Sequence, residues 1–282
     1  MSSMKKRKQG RQRMLNLIRV EFFKIRKSGM PYVLLLVLLA SILIPLVVTY
    51  INYQSEVSEF QTPMWKETLV LSTAMEGIFN SVPGLGMILV AILAASAVGT
   101  EYGWGTLRQT LARGTSRPRY LTSKLLSIAI IAFIGVMIAV AVGLIATIIT
   151  SMLVEGGIEW GSFIGYFLAS LGRTLLVLVV YISMATFFSV LLRSSALGIM
   201  VTIAWIIGDS IIGGLLSMST GWLADISQFM ISFNTSELLA LNSLSPHNDI
   251  TSWWQSAGVL LAYSTVFIAA SYYRFQRQDL TA

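Results

Sequence analysis

Six stretches of this chain are apolar over about 20 residues each, the length an α-helix needs to cross roughly 30 Å of hydrocarbon. They lie near residues 31–51, 82–100, 125–153, 171–192, 194–217 and 255–273. A backbone in that medium must satisfy its own N–H and C=O groups, which leaves helices or a closed barrel. Runs this long, without strict alternation, predict helices. The fold class follows as all-α: a polytopic membrane protein with six transmembrane helices. Charged residues make up 12% of the chain, about half the share of a soluble globule. The first run is too long for a signal peptide and meets no small-residue cleavage site before Asn52, so it is expected to stay as an anchor.

The net charge of +7 would suggest nucleic acid if it formed a patch on a soluble domain, but its distribution argues otherwise. Of 20 Lys and Arg, 18 precede the first run, follow the last, or fall in the second and fourth connections. Glu56, Glu59, Glu67, Glu76, Glu155, Glu159, Asp225, Glu237 and Asp249 occupy the alternate connections, opposed by Lys66. The positive-inside rule then places both termini in the cytoplasm, at a cell (plasma) membrane. No nucleic-acid-reading motif accompanies the basic residues, so nucleic acid is not expected as a partner, whereas the lipid bilayer is. With no cysteine, disulfides, thiolate metal sites and thiol nucleophiles are excluded.

Residues 1–13 are basic and lack apolar periodicity, which predicts a disordered cytoplasmic tail. The remainder, 14–282, reads as a single transmembrane domain. Within 14–28, Leu15, Ile18, Phe22 and Ile25 recur at three- and four-residue spacing opposite Asn16, Arg19, Lys24 and Arg26, the pattern of an interfacial amphipathic helix. Ser28-Gly29-Met30-Pro31 supplies the elbow into the first span. In the loop before the last span, Trp222, Leu223, Ile226, Phe229 and Met230 are apolar at helical spacing and predict a segment that dips back into the outer leaflet. The alternative is a solvated loop packed on helix ends. Small residues repeat at every fourth position, at Gly135, Ala139 and Gly143 and at Ala91, Ala95 and Gly99, which marks helix contacts.

The second connection is the most distinctive. Over residues 101–126 it carries five Lys/Arg against one Glu. Thr106 is placed to cap a short helix, LRQTLAR, ending at Gly114, and Ser116 with Pro118 starts a second one that enters the third span. The short helix presents Leu107 and Leu111 on one side with Arg108 and Arg113 around it. So few turns are marginal in water unless something packs on them.

Here the chain resembles the permease subunits of ABC-2 type exporters, which are bacterial ABC exporter transmembrane subunits. The residues that carry the resemblance are Glu101, Gly105-Thr106-Leu107-Arg108, Ala112-Arg113-Gly114, Ser116-Arg117, Tyr120 and Lys124-Leu125, together with the elbow helix and six spans. The resemblance implies that this loop holds a coupling helix inserted into a separate ABC ATPase subunit, an ATP-binding, phosphate-loop protein. It also implies a second permease copy or paralogue, two such subunits forming the pathway between them. The ATPase-coupling role falls on Thr106, Leu107, Arg108, Leu111 and Arg113, with Glu101 anchoring the loop. No GxxxxGK[ST] phosphate loop occurs in this chain, so ATP hydrolysis belongs to the partner and the chain itself is not expected to be an enzyme. The outer loops carry no recognisable substrate-specific signature, and the cargo is left at hydrophobic or amphipathic: peptide, drug or lipid. A loop whose basic residues only fix orientation and bind headgroups is the plainer reading.

Two ionisable residues fall inside spans. Arg173 and Asp209 lie at similar depths, roughly 28 and 24 Å from the inner boundary, on spans joined by the tight turn at Arg193-Ser194-Ser195, and an ion pair between them is expected. Arg173 snorkelling to headgroups while Asp209 faces water is the alternative. His247, the lone histidine, reads as a surface residue, and neither it nor Asp209 has the companions of a metal site, triad or carboxylate dyad. No cofactor is expected. Alternatives to an exporter are a non-transporting membrane sensor or assembly component, and an ion-coupled secondary carrier, which would place more polar groups at mid-membrane.

Overall fold

The computed structural model describes residues 2–55, 62–103, 105–112, 115–154, 163–242 and 253–278, and these are helical apart from short connections. In chain order the helices are α1 (Ser2–Lys27), α2 (Met30–Gln54), α3 (Thr62–Leu69), α4 (Leu71–Gly103), α5 (Thr106–Ala112), α6 (Arg117–Leu153), α7 (Phe163–Leu192), α8 (Ser195–Ser217), α9 (Trp222–Ser227), α10 (Ile231–Ala240) and α11 (Trp253–Arg277). Six of them, α2, α4, α6, α7, α8 and α11, are long and apolar enough to cross a membrane. The expected spans fall within or closely along these helices, which extend further at several ends. At 1.5 Å per residue, the 37 residues of α6 reach roughly 55 Å, well beyond the hydrocarbon.

The most apolar 18-residue stretch of α7 is 67% buried, and α7 forms the centre of the bundle, packed on α4 and α11. Helix α4 in turn packs on α6, α8 and α2. By contrast α2 and α8 are 11% and 17% buried over the same window, so they are peripheral and present Leu36, Ile44, Met200 and Leu215 outward. Outward-facing apolar side chains on long helices need hydrocarbon as their solvent, and this makes the molecule a multi-pass protein embedded in a bilayer.

Close approach fixes two contacts. A Cβ on Gly99 would lie 2.3 Å from the Ser195 backbone, and one on Gly198 would lie 2.2 Å from Ser189 Oγ. Helix α4 therefore abuts the start of α8, at the Arg193-Ser194 turn where Arg193 adopts φ 53° and Ser194 Oγ caps the Leu197 N–H. The stripe in α6 divides. Ala139 is fully buried and Gly143 meets Ile78 and Ile42, yet Gly135 has open space where a side chain would go. Gly135 is thus not a helix contact.

Helix α1 starts at Ser2, so the stretch 1–13, expected to be a disordered tail, carries helix from its second residue. Lys, Arg and Gln are good helix formers and prolong turns nucleated where Ile25 and Glu21 are packed against the bundle. The Ser28-Gly29 break separates α1 from α2 as expected. Six crossings leave the ends of α1 and α11 on the same side as α5, referred to below as the α5 end; α9 and α10 lie at the other end.

Candidate functional site

The α5 end is held by charge. Glu101, in the last turn of α4 and 2% exposed, pairs through Oε1 with Lys24 of α1 and, at 2.5 Å, with Lys124 of α6. Lys124 Nζ also reaches Glu21 Oε2 of α1 at 2.6 Å, and its side chain is 2% exposed. Two acids and two lysines thus join three helices. Burying such charges costs several kcal/mol per ion, and the mutual attraction offsets this only where the partners are close and complementary, as here. Ser127 Oγ adds a bond to the Ile18 carbonyl at 3.2 Å, a second tie between α6 and α1. The loop pattern points to Glu101 and Lys124 but not to Glu21 and Lys24 as their partners. The signal is present: Glu21 is the lone acid before Glu56, set between apolar positions of α1.

A second set of bonds ties the same region to α11. Tyr102 OH donates to Gln278 Oε1 at 2.9 Å, and Gln278 Nε2 donates to the Val190 carbonyl at the end of α7 at 2.6 Å. The Arg117 guanidinium, in the first turn of α6, donates to the carbonyls of Gln276 and Gln278 at 2.6 and 2.8 Å. A guanidinium at a helix C-terminus satisfies carbonyls that have no partner within the helix. Tyr120 stacks on Phe275 with ring centres 5.8 Å apart. Both roots of α5 are therefore fixed to the bundle.

Helix α5 itself has an inner and an outer side. Leu107 is 3% exposed within the core and Leu111 is partly buried against it, while Gly105, Gln109 and Ala112 are exposed. This corrects the expectation that Leu107 and Leu111 form the presented face: they are the plug, and the opposite side is what projects. Thr106 does not cap. It is the first helical residue, following Gly105 at φ 66°, and its buried Oγ1 has no partner, because a side chain already inside the first turn cannot reach back to the free N–H groups. Ser116 does sit at the N-cap of α6, with Pro118 following, but without a side-chain bond. The Arg108 side chain and Arg113 lie outside the described residues.

At the other end the two intramembrane charges do not pair. Asp209 of α8 accepts from the Ser232 N–H at the start of α10, at 2.6 Å, and Ser232 Oγ donates to the Asp209 carbonyl at 3.1 Å. Arg173 of α7 donates to the Leu241 carbonyl at 2.8 Å and to Asn242 Oδ1 at 3.1 Å, just past the end of α10. The expected Arg173–Asp209 ion pair is replaced by a carboxylate at one end of α10 and a guanidinium at the other, about 15 Å of helix between them. That arrangement opposes the helix dipole at both ends and satisfies backbone groups the helix leaves open. Depth alone could not distinguish it, since no sequence pattern announced α10 as the partner. Asn242, fully buried, continues the joint by accepting from Tyr166 OH through its carbonyl at 2.6 Å.

Ser232 meets Asp209, which lies eight residues before the end of α8 at Ser217, so the chain returns about 12 Å along α8 before α10 begins. The segment expected to dip back, Trp222 to Met230, forms α9 and the turn after it, and what reaches back to Asp209 of α8 is the start of α10. Trp222, Ile226 and Phe229 stay exposed. His247 lies outside the described residues.

A packed bundle of six apolar crossings, with an ionic knot at one end and a returning helix at the other, defines an all-helical multi-pass membrane protein. The chain belongs to the family described as protein of unknown function (DUF2705), whose family model matches residues 34–281. Comparison with curated proteins finds no match.

Proposed function

We propose that this chain is the membrane-spanning permease subunit of an ATP-driven exporter, with both termini in the cytoplasm of a bacterial cell. The observation that carries the reading is α5: seven residues between the second and third crossings, plugged by Leu107, with Gln109 and Ala112 facing out and both roots tied to α1, α6 and α11. A helix fixed in this way moves with the bundle, so force applied to its outer side would reach the crossings without being lost in a slack loop. On this reading a separate phosphate-loop ATPase grips α5, and two permease subunits rock between inward- and outward-facing arrangements as the ATPase closes. Helix α10, joined to α7 and α8 by Arg173 and Asp209, would cover the exit. The cargo is hydrophobic or amphipathic, and the chain performs no chemistry of its own.

The test is photocrosslinking from position 109 in cells that retain the genes neighbouring this one. An adduct with a polypeptide bearing a phosphate loop is expected, and Ala112→Trp should lower recovery of that polypeptide at least tenfold. Recovery of the full-length chain from its native membrane with no ATPase attached would sink the exporter reading. Burial of Leu107 in the chain's own core favours a second reading, a membrane component that does not transport, and that result would select it.

A further inference from the structure

Between α1, α2 and α6 a groove of ≈ 360 Å³ opens on the side of the bundle, within the size range of ligand sites. Its walls are apolar and aromatic, from Tyr32 and Leu35 of α2 and Ile131, Gly135 and Ile138 of α6, and its one charged lining residue is Arg26, in the last turn of α1. A narrower crevice of ≈ 60 Å³ shares Pro31, Leu35, Ile131 and Gly135 and runs inward toward Leu178. Arg26 is exposed, and among the described residues no carboxylate lies within salt-bridge distance of it, since Glu21 and Glu101 hold Lys24 and Lys124. The groove has room to spare at Gly135, where nothing lies within 4 Å of the place a Cβ would take.

We propose that this groove binds an anionic phospholipid from the bilayer leaflet beside α1, with its phosphate at Arg26 and an acyl chain along Leu35, Ile131 and Ile138. Tyr32, Ile134 and Ile138 of its walls are exposed on the outside of the bundle, where the surrounding medium is the bilayer, so a lipid is the occupant at hand. Charge decides the headgroup: a permanent cation at the polar end of an apolar slot favours a net-negative phosphate ester over a zwitterion. This inference rests on the membrane-embedded fold and is independent of the exporter reading.

The test is native mass spectrometry of the full chain released from micelles containing equal phosphatidylglycerol and phosphatidylcholine of matched acyl chains. The wild type is expected to retain the anionic lipid in about fivefold preference, the ratio that one cation near the surface supplies. Arg26→Gln should abolish the preference, and Gly135→Leu, which fills the slot without touching the charge, should lower retention of both lipids. Equal retention of the two lipids by wild type would overturn the proposal. So would an Arg19→Gln variant losing the preference as fully as Arg26→Gln, because general basicity would then explain it. If Gly135→Leu melts like wild type and still holds as much lipid, the groove is not the site. Should that variant fail to fold, the comparison of Arg26→Gln with Arg19→Gln decides alone.

Discussion

Lys124 is a cation almost without water, and its two carboxylate partners, Glu21 of α1 and Glu101 of α4, lie 80 residues apart in sequence. Replacing it with Met removes the only partner of Glu21 described and one of two for Glu101, which should cost about 3–5 kcal/mol. Lys24→Met, at a side chain 44% exposed, should cost distinctly less. Thermal unfolding in detergent, followed by tryptophan fluorescence, checks the order; equal midpoints for the two variants would contradict the burial argument. Glycines divide in the same manner. Gly99→Ala forces a Cβ to 2.3 Å from the Ser195 backbone, which cannot rotate away as a side chain could, and should destabilise by at least about 1–3 kcal/mol. Gly135→Ala meets open space inside a helix and should be neutral or gain up to about 1 kcal/mol. Both are glycines of small-residue stripes in sequence, and their opposite expected outcomes follow from neighbours on other helices.

Among the elements, α10 is the one whose position depends most visibly on charge. Ten residues cannot hold a helix by propensity alone, so it relies on packing of Ile231 and Leu238 and on the groups at its ends. A hydrogen bond to an ionised group contributes about 1.5–3 kcal/mol, so Asp209→Ala should speed amide exchange at Ser232 by at least about tenfold. Arg173→Gln should act at the other end, around Leu241 and Asn242, and leave Ser232 unchanged. Exchange measured by mass spectrometry with peptide resolution separates the two; acceleration spread evenly over α10 in both variants would mean the ends are not held independently. Helix α5 is the contrasting case, a seven-residue helix held by Leu107 and by what surrounds its roots.

For the whole molecule, six crossings place α5 and the α8–α9 turn on opposite sides of the membrane. The absence of native cysteine makes this directly measurable. A membrane-impermeant thiol reagent added to whole cells should label Met218→Cys, which replaces a residue 86% exposed, and should label Gln109→Cys only after permeabilisation. The reverse pattern would invert the orientation read from the basic residues, and labelling of both from one side would break the count of crossings.

The number of long apolar helices and the existence of a short helix after the second of them were legible in the sequence. Each depends on a local sum: transfer of about 20 consecutive side chains, a glycine or proline at a helix boundary. What the sequence could not determine was rotation about each helix axis and the choice of neighbour. Matched depth made Arg173 and Asp209 look like partners, yet the returning α10 came between them and offered each a backbone end. Spacing put Leu107 and Leu111 on one face of α5, and only the bundle decided that this face turns inward. The same held for Glu21, a lone acid in a basic helix until α4 and α6 brought Glu101 and Lys124 beside it. Contacts of this kind are set by packing between helices distant in sequence, and their energies enter only once those helices are side by side.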